Sequence, residues 1–156
     1  MKETEEGAQM ITLKPVTQEN LEEVLSLHIK EEQRGFVSSP AESLAQAYVY
    51  YETAYPFAVY AEDIPIGFIM MGYYEAKDYY TLWKFLIDQR YQSKGYGRRA
   101  LKLGLEYMKD TFAAKEIYTG VIPGNEVAKR LYESVGFKST GLFEAGMEEM
   151  KLVIVS

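Results

Sequence analysis

From Arg90 to Ala100 the chain reads Arg-Tyr-Gln-Ser-Lys-Gly-Tyr-Gly-Arg-Arg-Ala, a run rich in the residue types that bind an oxyanion. An apolar, strand-like segment from Tyr80 to Asp88 precedes it, and a helix-like segment to about Phe112 follows. A glycine-containing turn between strand and helix leaves the first helical amides unpaired, where the helix dipole favours an anion. Gly95 and Gly97 allow a tight bend, and neither carries a Cβ that would hold a bulky phosphate away. Five of the 17 basic residues (Arg90, Lys94, Arg98, Arg99, Lys102) cluster here, although the net charge is -6. The ligand implied carries phosphate. Two better-known phosphate loops do not fit: there is no G-x-x-x-x-G-K-[ST], and Ala100 replaces the third glycine of G-x-G-x-x-G. Alanine is sometimes allowed at that last position.

Farther along stands Asn125-x-x-Ala128-x-x-Leu131-Tyr132-x-x-x-Gly136-Phe137. Pro123-Gly124 breaks the chain before it, so Asn125 can cap a helix on which Tyr132 lies. By residue type alone Tyr132 is either a packing residue on a sheet or a proton donor. Together, Gln92-x-x-Gly95-x-Gly97 and this second pattern resemble the acetyl-CoA-binding motif and the following Asn/Tyr motif of the GNAT acetyltransferase superfamily. The resemblance runs from about Ile11 to the end of the chain.

That resemblance implies a set of roles. Gln92, Ser93, Lys94, Gly95, Tyr96, Gly97, Arg98 and Arg99 would hold the coenzyme's phosphates, with Asn125 and Ala128 beside them. Pantetheine would add itself to the sheet edge along Phe85, Leu86 and Ile87, where a backbone N–H near Leu86 or Ile87 would face the developing oxyanion. Tyr132 would give a proton to the departing thiolate. In water that transfer runs from a phenol of pKa about 10 to a thiolate of about 8.5, uphill by roughly 2 kcal/mol. The site must therefore tune one of the two groups, or Tyr132 only hydrogen-bonds the sulfur. Ser93 departs from the pattern, standing where glycine is common, and fits the turn if its φ stays negative.

An acceptor amine must lose a proton before it attacks. Candidate bases are Glu31, Glu32, Glu75, Asp78, Glu144 and His28, and Glu32 is counted with Tyr132 among the catalytic residues. A narrower resemblance lies in Glu31-Glu32-Gln33-x-x-Phe36-Val37, Ser43-Leu44-Ala45-x-Ala47-Tyr48 and Trp83-Lys84-Phe85-Leu86-Ile87-Asp88. These segments are similar to the bacterial spermine/spermidine acetyltransferases of the superfamily. The resemblance implies acetyl transfer from acetyl-CoA to a small polyamine in a ternary complex, with Glu31, Glu32, Phe36, Tyr48 and Trp83 contacting the acceptor. Two other functions fit the motifs: transfer to another amine (a protein N-terminus, an amino acid, an antibiotic), or a coenzyme-binding module without turnover.

Composition narrows the field further. With no cysteine and one histidine, disulfides, thiolate metal sites, a cysteine nucleophile and a multi-histidine centre are excluded. An acidic chain argues against nucleic acid as the main partner and suits a cationic substrate. No apolar run spans a bilayer, and Met1 to Met10 resembles no targeting segment, so a cytoplasmic protein is expected. A homodimer is compatible with the resemblance.

The elements that must position these residues are legible in part. The 156 residues suit one domain, expected over 10–156 behind a disordered tail at 1–9. Ile11 to Val16 alternates as a strand, and Thr17 caps a helix whose apolar face is Leu21, Val24, Leu25 and His28. His28 is then a half-buried packing residue. Ser39-Pro40-Ala41-Glu42 starts a second helix that presents Leu44, Ala45, Tyr48 and Tyr51 until Pro56 stops it. Strands follow at 57–62, 66–74 and 79–88, a helix at 98–112, a strand at 116–122, the Asn125 helix ended by Gly136, and a closing hairpin from 137–143 and 147–155. The order β-α-α-β-β-β-α-β-α-β-β is the α/β (α+β) topology of the resembled superfamily: a mixed, mostly antiparallel sheet flanked by helices.

Overall fold

A computed structural model describes residues 9–154. Residues 1–8 of the expected tail, and Val155 of the last expected strand, lie outside the described residues. The elements are β1 (Ile11–Lys14), α1 (Leu21–Leu25), α2 (Pro40–Val49), β2 (Ala54–Ala61), β3 (Ile64–Tyr74), β4 (Tyr79–Ile87), α3 (Tyr96–Phe112), β5 (Glu116–Val121), α4 (Glu126–Ser134), β6 (Lys138–Glu144) and β7 (Met147–Val153). Short 3-10 turns at Glu31–Gln33 and Gln89–Tyr91 precede α2 and α3. The seven strands form one sheet, ordered β1-β2-β3-β4-β5-β7-β6, in which only β4 and β5 run parallel.

Strand β3 shows why the sheet is sandwiched between helices. Ile69 and Met71 join a core with α3, while Phe68 and Met70 join one with α1 and α2, and all four are fully buried. Alternation sends successive side chains to opposite faces, so a strand apolar at every position needs cover on both. On α3, Leu101, Leu105 and Met108 recur at helical spacing and are buried. Phe112 is half-buried, stacked on Tyr55 at 4.7 Å and on Tyr80 at 5.4 Å.

Several local expectations are corrected. Helix α1 is only five residues long, so His28 lies beyond it, exposed, with its backbone N–H donating to Asp88 at 3.0 Å. Asn20, not Thr17, holds the N-cap position, and its side chain ties Thr17 and Pro15 to the Tyr60 hydroxyl. Ser39 does cap α2, accepting from the Glu42 N–H at 3.1 Å. The buried face of α2 is Pro40, Ser43 and Ala47, whereas Tyr48 is 82% and Tyr51 73% exposed. Pro56 does not stop that helix; it sits inside β2, opposite Met70. There β1 has already ended, pairing only with Ala58–Ala61, so the missing proline N–H breaks no ladder.

Candidate active site

The site opens where β4 and β5 part. Their ladder consists of two pairs, Tyr80 with Ile117 and Thr81 with Tyr118. At the next position the buried Thr119 hydroxyl donates to the Leu82 carbonyl at 3.0 Å, a side chain standing in for the third rung. In β4 itself, Met71 faces Leu82 and Met70 faces Lys84, which leaves Trp83 as the extra residue of a bulge. Past this kink β4 has no strand on its β5 side. Every second N–H and C=O of residues 83–87 is therefore turned toward a gap.

A cavity of about 550 Å³ fills the wedge, walled by β4 from Leu82 to Ile87 and by Thr119–Ile122 opposite. Phe36 closes it from the loop before α2, its ring 3.9 Å from the place a Cβ on Gly124 would occupy. Gln92 fastens that loop to the strand end. Its amide nitrogen donates to the Ile87 carbonyl at 2.7 Å and to Gln33 at 3.0 Å, while Gln33 donates back at 3.1 Å. The Ile87 carbonyl is thereby engaged, and Gln92 clasps protein rather than facing outward.

At the mouth the turn into α3 folds as two left-handed residues, Gly95 at φ 82° and Ser93 at φ 62°. The expectation that Ser93 keeps a negative φ is thus corrected; serine occupies a conformation that glycine adopts without strain. The first helical bond is Arg99 N–H to the Gly95 carbonyl at 3.3 Å. Among the described residues, the amides from Ser93 to Arg98 donate to no other protein group. Alternating backbone hands of this kind turn successive N–H groups inward as an anion nest, with the dipole of a 17-residue helix behind it. Gly97 adds room: a Cβ there would sit 3.7 Å from Ile87 and Leu131 and 3.8 Å from Phe85, at ordinary contact distance within the cleft.

Tyr132 reaches the cleft from α4, which Asn125 caps by accepting from the Ala128 N–H at 3.3 Å. The Tyr132 ring is 8% exposed and packs 5.8 Å from Phe137, and its hydroxyl has no partner among the described residues. Burial pushes its phenol up to about 12. Taken against a free thiolate, that widens the gap to about 3.5 units, or ~5 kcal/mol. A thiolate buried in the same wedge would be raised by the same cause, so the two effects oppose each other. At neutral pH Tyr132 is therefore a protonated donor with no bond of its own.

The remaining sequence-derived residues divide. Phe85, Leu86, Ile87, Gln92, Ser93, Gly95, Gly97, Arg98, Asn125, Ala128, Tyr132, Phe36 and Trp83 all line the cavity. Lys94, Tyr96 and Arg99 do not; Tyr96 and Arg99 turn to Gln9, the former donating at 3.1 Å. Glu31 and Glu32 are exposed on the 3-10 turn outside the wall, with Glu31 paired to Arg34 at 3.3 Å, and Tyr48 faces away. A second cavity of about 760 Å³ adjoins the first through Leu82, Trp83, Lys84, Thr119, Gly120 and Met147. Two of the candidate bases, Glu75 and Glu144, line it together with Glu149, whereas His28 and Asp78 line neither cavity.

Four residues that matter here gave little sign in the sequence. Gln33 completes the clasp, and Thr119 pins the wedge. Lys84 lines both cavities, its ammonium donating to the Ser38 hydroxyl at 2.7 Å. Asp88, fully buried, ends β4 and accepts from the His28 N–H at 3.0 Å, the Arg90 N–H at 2.9 Å and the Arg90 guanidinium at 2.9 Å. Burial alone would raise the Asp88 carboxyl, but these donors outweigh it and hold the group below its ordinary value. Gln33, Lys84 and Asp88 stand in the segments quoted for the narrower resemblance, where none is given a role of its own.

The family model described as "Acetyltransferase (GNAT) family" matches residues 21–137. The chain belongs to the GNAT acetyltransferase family. A spermine/spermidine N(1)-acetyltransferase of Bacillus subtilis (strain 168) is 32% identical over 148 residues, which cover 90% of this acetyltransferase and 95% of that protein. Among solved structures, the acetyltransferase from Agrobacterium tumefaciens str. C58 superposes with a TM-score of 0.74 at 13% identity, over 99% of this chain and 95% of the other. The PaiA N-acetyltransferase from Thermoplasma acidophilum, in complex with coenzyme A, gives 0.70 at 18% identity, over 92% and 99%. The fold and the N-acetyltransferase class implied by the sequence motifs are thus shown. No helix among the described residues is long and apolar enough to cross a membrane, and no cluster there could hold a metal ion.

Proposed function

We propose that this acetyltransferase moves an acetyl group from acetyl-CoA to a primary amine of a small polyamine, spermine or spermidine, by direct attack in a ternary complex. The observation that carries the coenzyme half is the set of undonated amides from Ser93 to Arg98 at the head of a wedge lined by an unpaired strand edge. These suit a diphosphate and an amide-bearing arm respectively, and the bare Gly97 leaves the approach open. Bound acetyl-CoA would supply an activated acyl group as a thioester. Arg98, at the cavity wall, would add charge to the phosphate site, and β4 amides between Trp83 and Ile87 would face the carbonyl oxygen as negative charge develops. Tyr132 would hydrogen-bond the leaving sulfur and return its proton.

The acceptor half rests on the named Bacillus relative and on the second cavity. That cavity meets the first where amine and thioester must meet. An ammonium-bearing aliphatic chain would meet Glu75 there, Glu144 and Glu149 in competition with Lys77, and the rings of Tyr73, Tyr74 and Tyr79. These carboxylates take the place first assigned to Glu31 and Glu32. Within the coenzyme cavity Glu42 is the carboxylate that can take the amine's proton through water. A homodimer belongs to the same reading, because β6 is a sheet edge exposed along its whole length.

Thiol release from acetyl-CoA, followed across spermidine, spermine, monoamines and amino acids, tests the proposal. Turnover is expected with the polyamines. No turnover with any amine overturns acetyl transfer to amines, and turnover confined to other acceptors overturns the polyamine assignment.

A further inference from the structure

We infer that Lys84 is itself an acetyl acceptor, so that the enzyme modifies its own throat in the absence of substrate. The inference rests on the acetyl-CoA site proposed above. Three features of the molecule point to it. Lys84 lies one residue before the Phe85–Ile87 edge and one after the bulge at Trp83, the register at which β4 loses its partner strand. Lys84 lines both cavities, and its amine is held at Ser38, in the wall of the coenzyme wedge. Its only hydrogen bond among the described residues goes to a neutral hydroxyl, Ser38 at 2.7 Å, which does not hold a proton on the nitrogen as a carboxylate would. Lys77 contrasts with it, fixed to Glu144 and lying 3.8 Å from Glu149.

Half-burial pulls the Lys84 ammonium below its ordinary value, with Glu42 opposing, which raises the share of free amine relative to a surface lysine. In the reaction the ammonium first gives one proton to water. The nitrogen lone pair then attacks the thioester carbonyl carbon, the N–C bond forms and the C–S bond breaks. The second proton leaves the nitrogen and the thiolate acquires one. The products are Nε-acetyl-lysine and coenzyme A, with no oxidant or metal required. The outcome is a neutral amide in place of the cation that a polyamine must pass.

The test is incubation of the intact purified protein with acetyl-CoA alone, with peptide mass spectrometry over time. Acetylation of Lys84 is expected at least about tenfold faster than at exposed lysines such as Lys94, because a bound thioester beside the amine makes the step intramolecular. Its rate constant should not change with protein concentration, and excess coenzyme A or spermidine should suppress it. Lys84→Arg should remove this fast phase and leave the slow surface labelling, with a melting temperature confirming the fold. If Lys84 is labelled no faster than Lys94, or its rate scales with protein concentration, the inference falls. Should the protein acetylate spermidine while Lys84 stays free, only this inference is lost. Should neither spermidine nor Lys84 be acetylated, the acetyl-transfer reading fails with it.

Discussion

Gly97→Ala separates a glycine kept for the ligand from one kept for the fold. Its φ is not in the left-handed region, and an added Cβ would meet Ile87, Leu131 and Phe85 at 3.7–3.8 Å, contact without overlap. In the first turn of α3 the substitution should leave stability unchanged or raise it by up to about 0.5–1 kcal/mol through helix propensity. If the proposed phosphate site is right, the methyl would fill the approach to the amides of Tyr96 and Arg98, and a loss of about tenfold in acetyl-CoA affinity is expected, about 1.4 kcal/mol. A ligand at a hundred times its Kd stabilises the folded state by about 2.7 kcal/mol, and at ten times by about 1.4 kcal/mol. At one fixed acetyl-CoA concentration the variant should therefore lose about 1.3 kcal/mol of ligand-induced stabilisation, about 3–5 °C of melting temperature for a chain of this size. Thermal melts with and without acetyl-CoA read both quantities. An unliganded variant that melts several degrees lower, with an unchanged ligand shift, would refute the reasoning.

Ser93→Gly should stabilise the unliganded protein by about 0.5–1 kcal/mol, read as a higher melting temperature, since glycine removes the cost of φ 62°; an unchanged or lower melting temperature counts against strain there. Asp88→Asn keeps one acceptor oxygen where two are used, Oδ1 by Arg90 and Oδ2 by His28, and should cost about 1–3 kcal/mol in urea unfolding. The Asp88 carboxyl is held below its ordinary 3.8, so its contribution is complete above that pH and is lost as pH falls through the folded value; the variant's deficit should shrink on acidification. Tyr132→Phe removes a hydroxyl with no partner among the described residues, so stability should hold while kcat for spermidine falls about 100-fold or more with little change in the amine KM. Because burial raises that phenol to about 12, the wild type should also lose stability between roughly pH 10, where the unfolded tyrosine ionises, and pH 12, and the variant should lose less.

The order of elements was readable because period and punctuation agreed. Ser39-Pro40 opened α2, Asn125 capped α4, and Gly136 took φ 110° at its end. Misreadings arose where tertiary contacts override local signals. The apolar spacing through His28 suggested a longer helix, but the N–H of His28 is taken by Asp88, sixty residues away. Tyr48 and Tyr51 looked like a core stripe because tyrosine is amphipathic, while the small Ser43 and Ala47 are what fit against the sheet. Within the site, the loop motif was legible because glycines at fixed offsets have a backbone reason to be there. Lys84, Thr119 and Gln33 were not, since their importance comes from a strand that loses its neighbour and a loop that folds back, and neither leaves a repeat in the sequence.

The reciprocal amide clasp between Gln33 and Gln92 has a thermodynamic corollary. The loop whose Phe36 closes the first cavity and the segment that leads into the α3 turn share two hydrogen bonds, so ordering either one steadies the other. Whatever coupling this creates must be mutual: a ligand that orders the turn steadies the Phe36 wall, and a ligand against that wall tightens the turn by the same factor. Such coupling needs no moving lid, only a wall that is firmer once its anchor is filled.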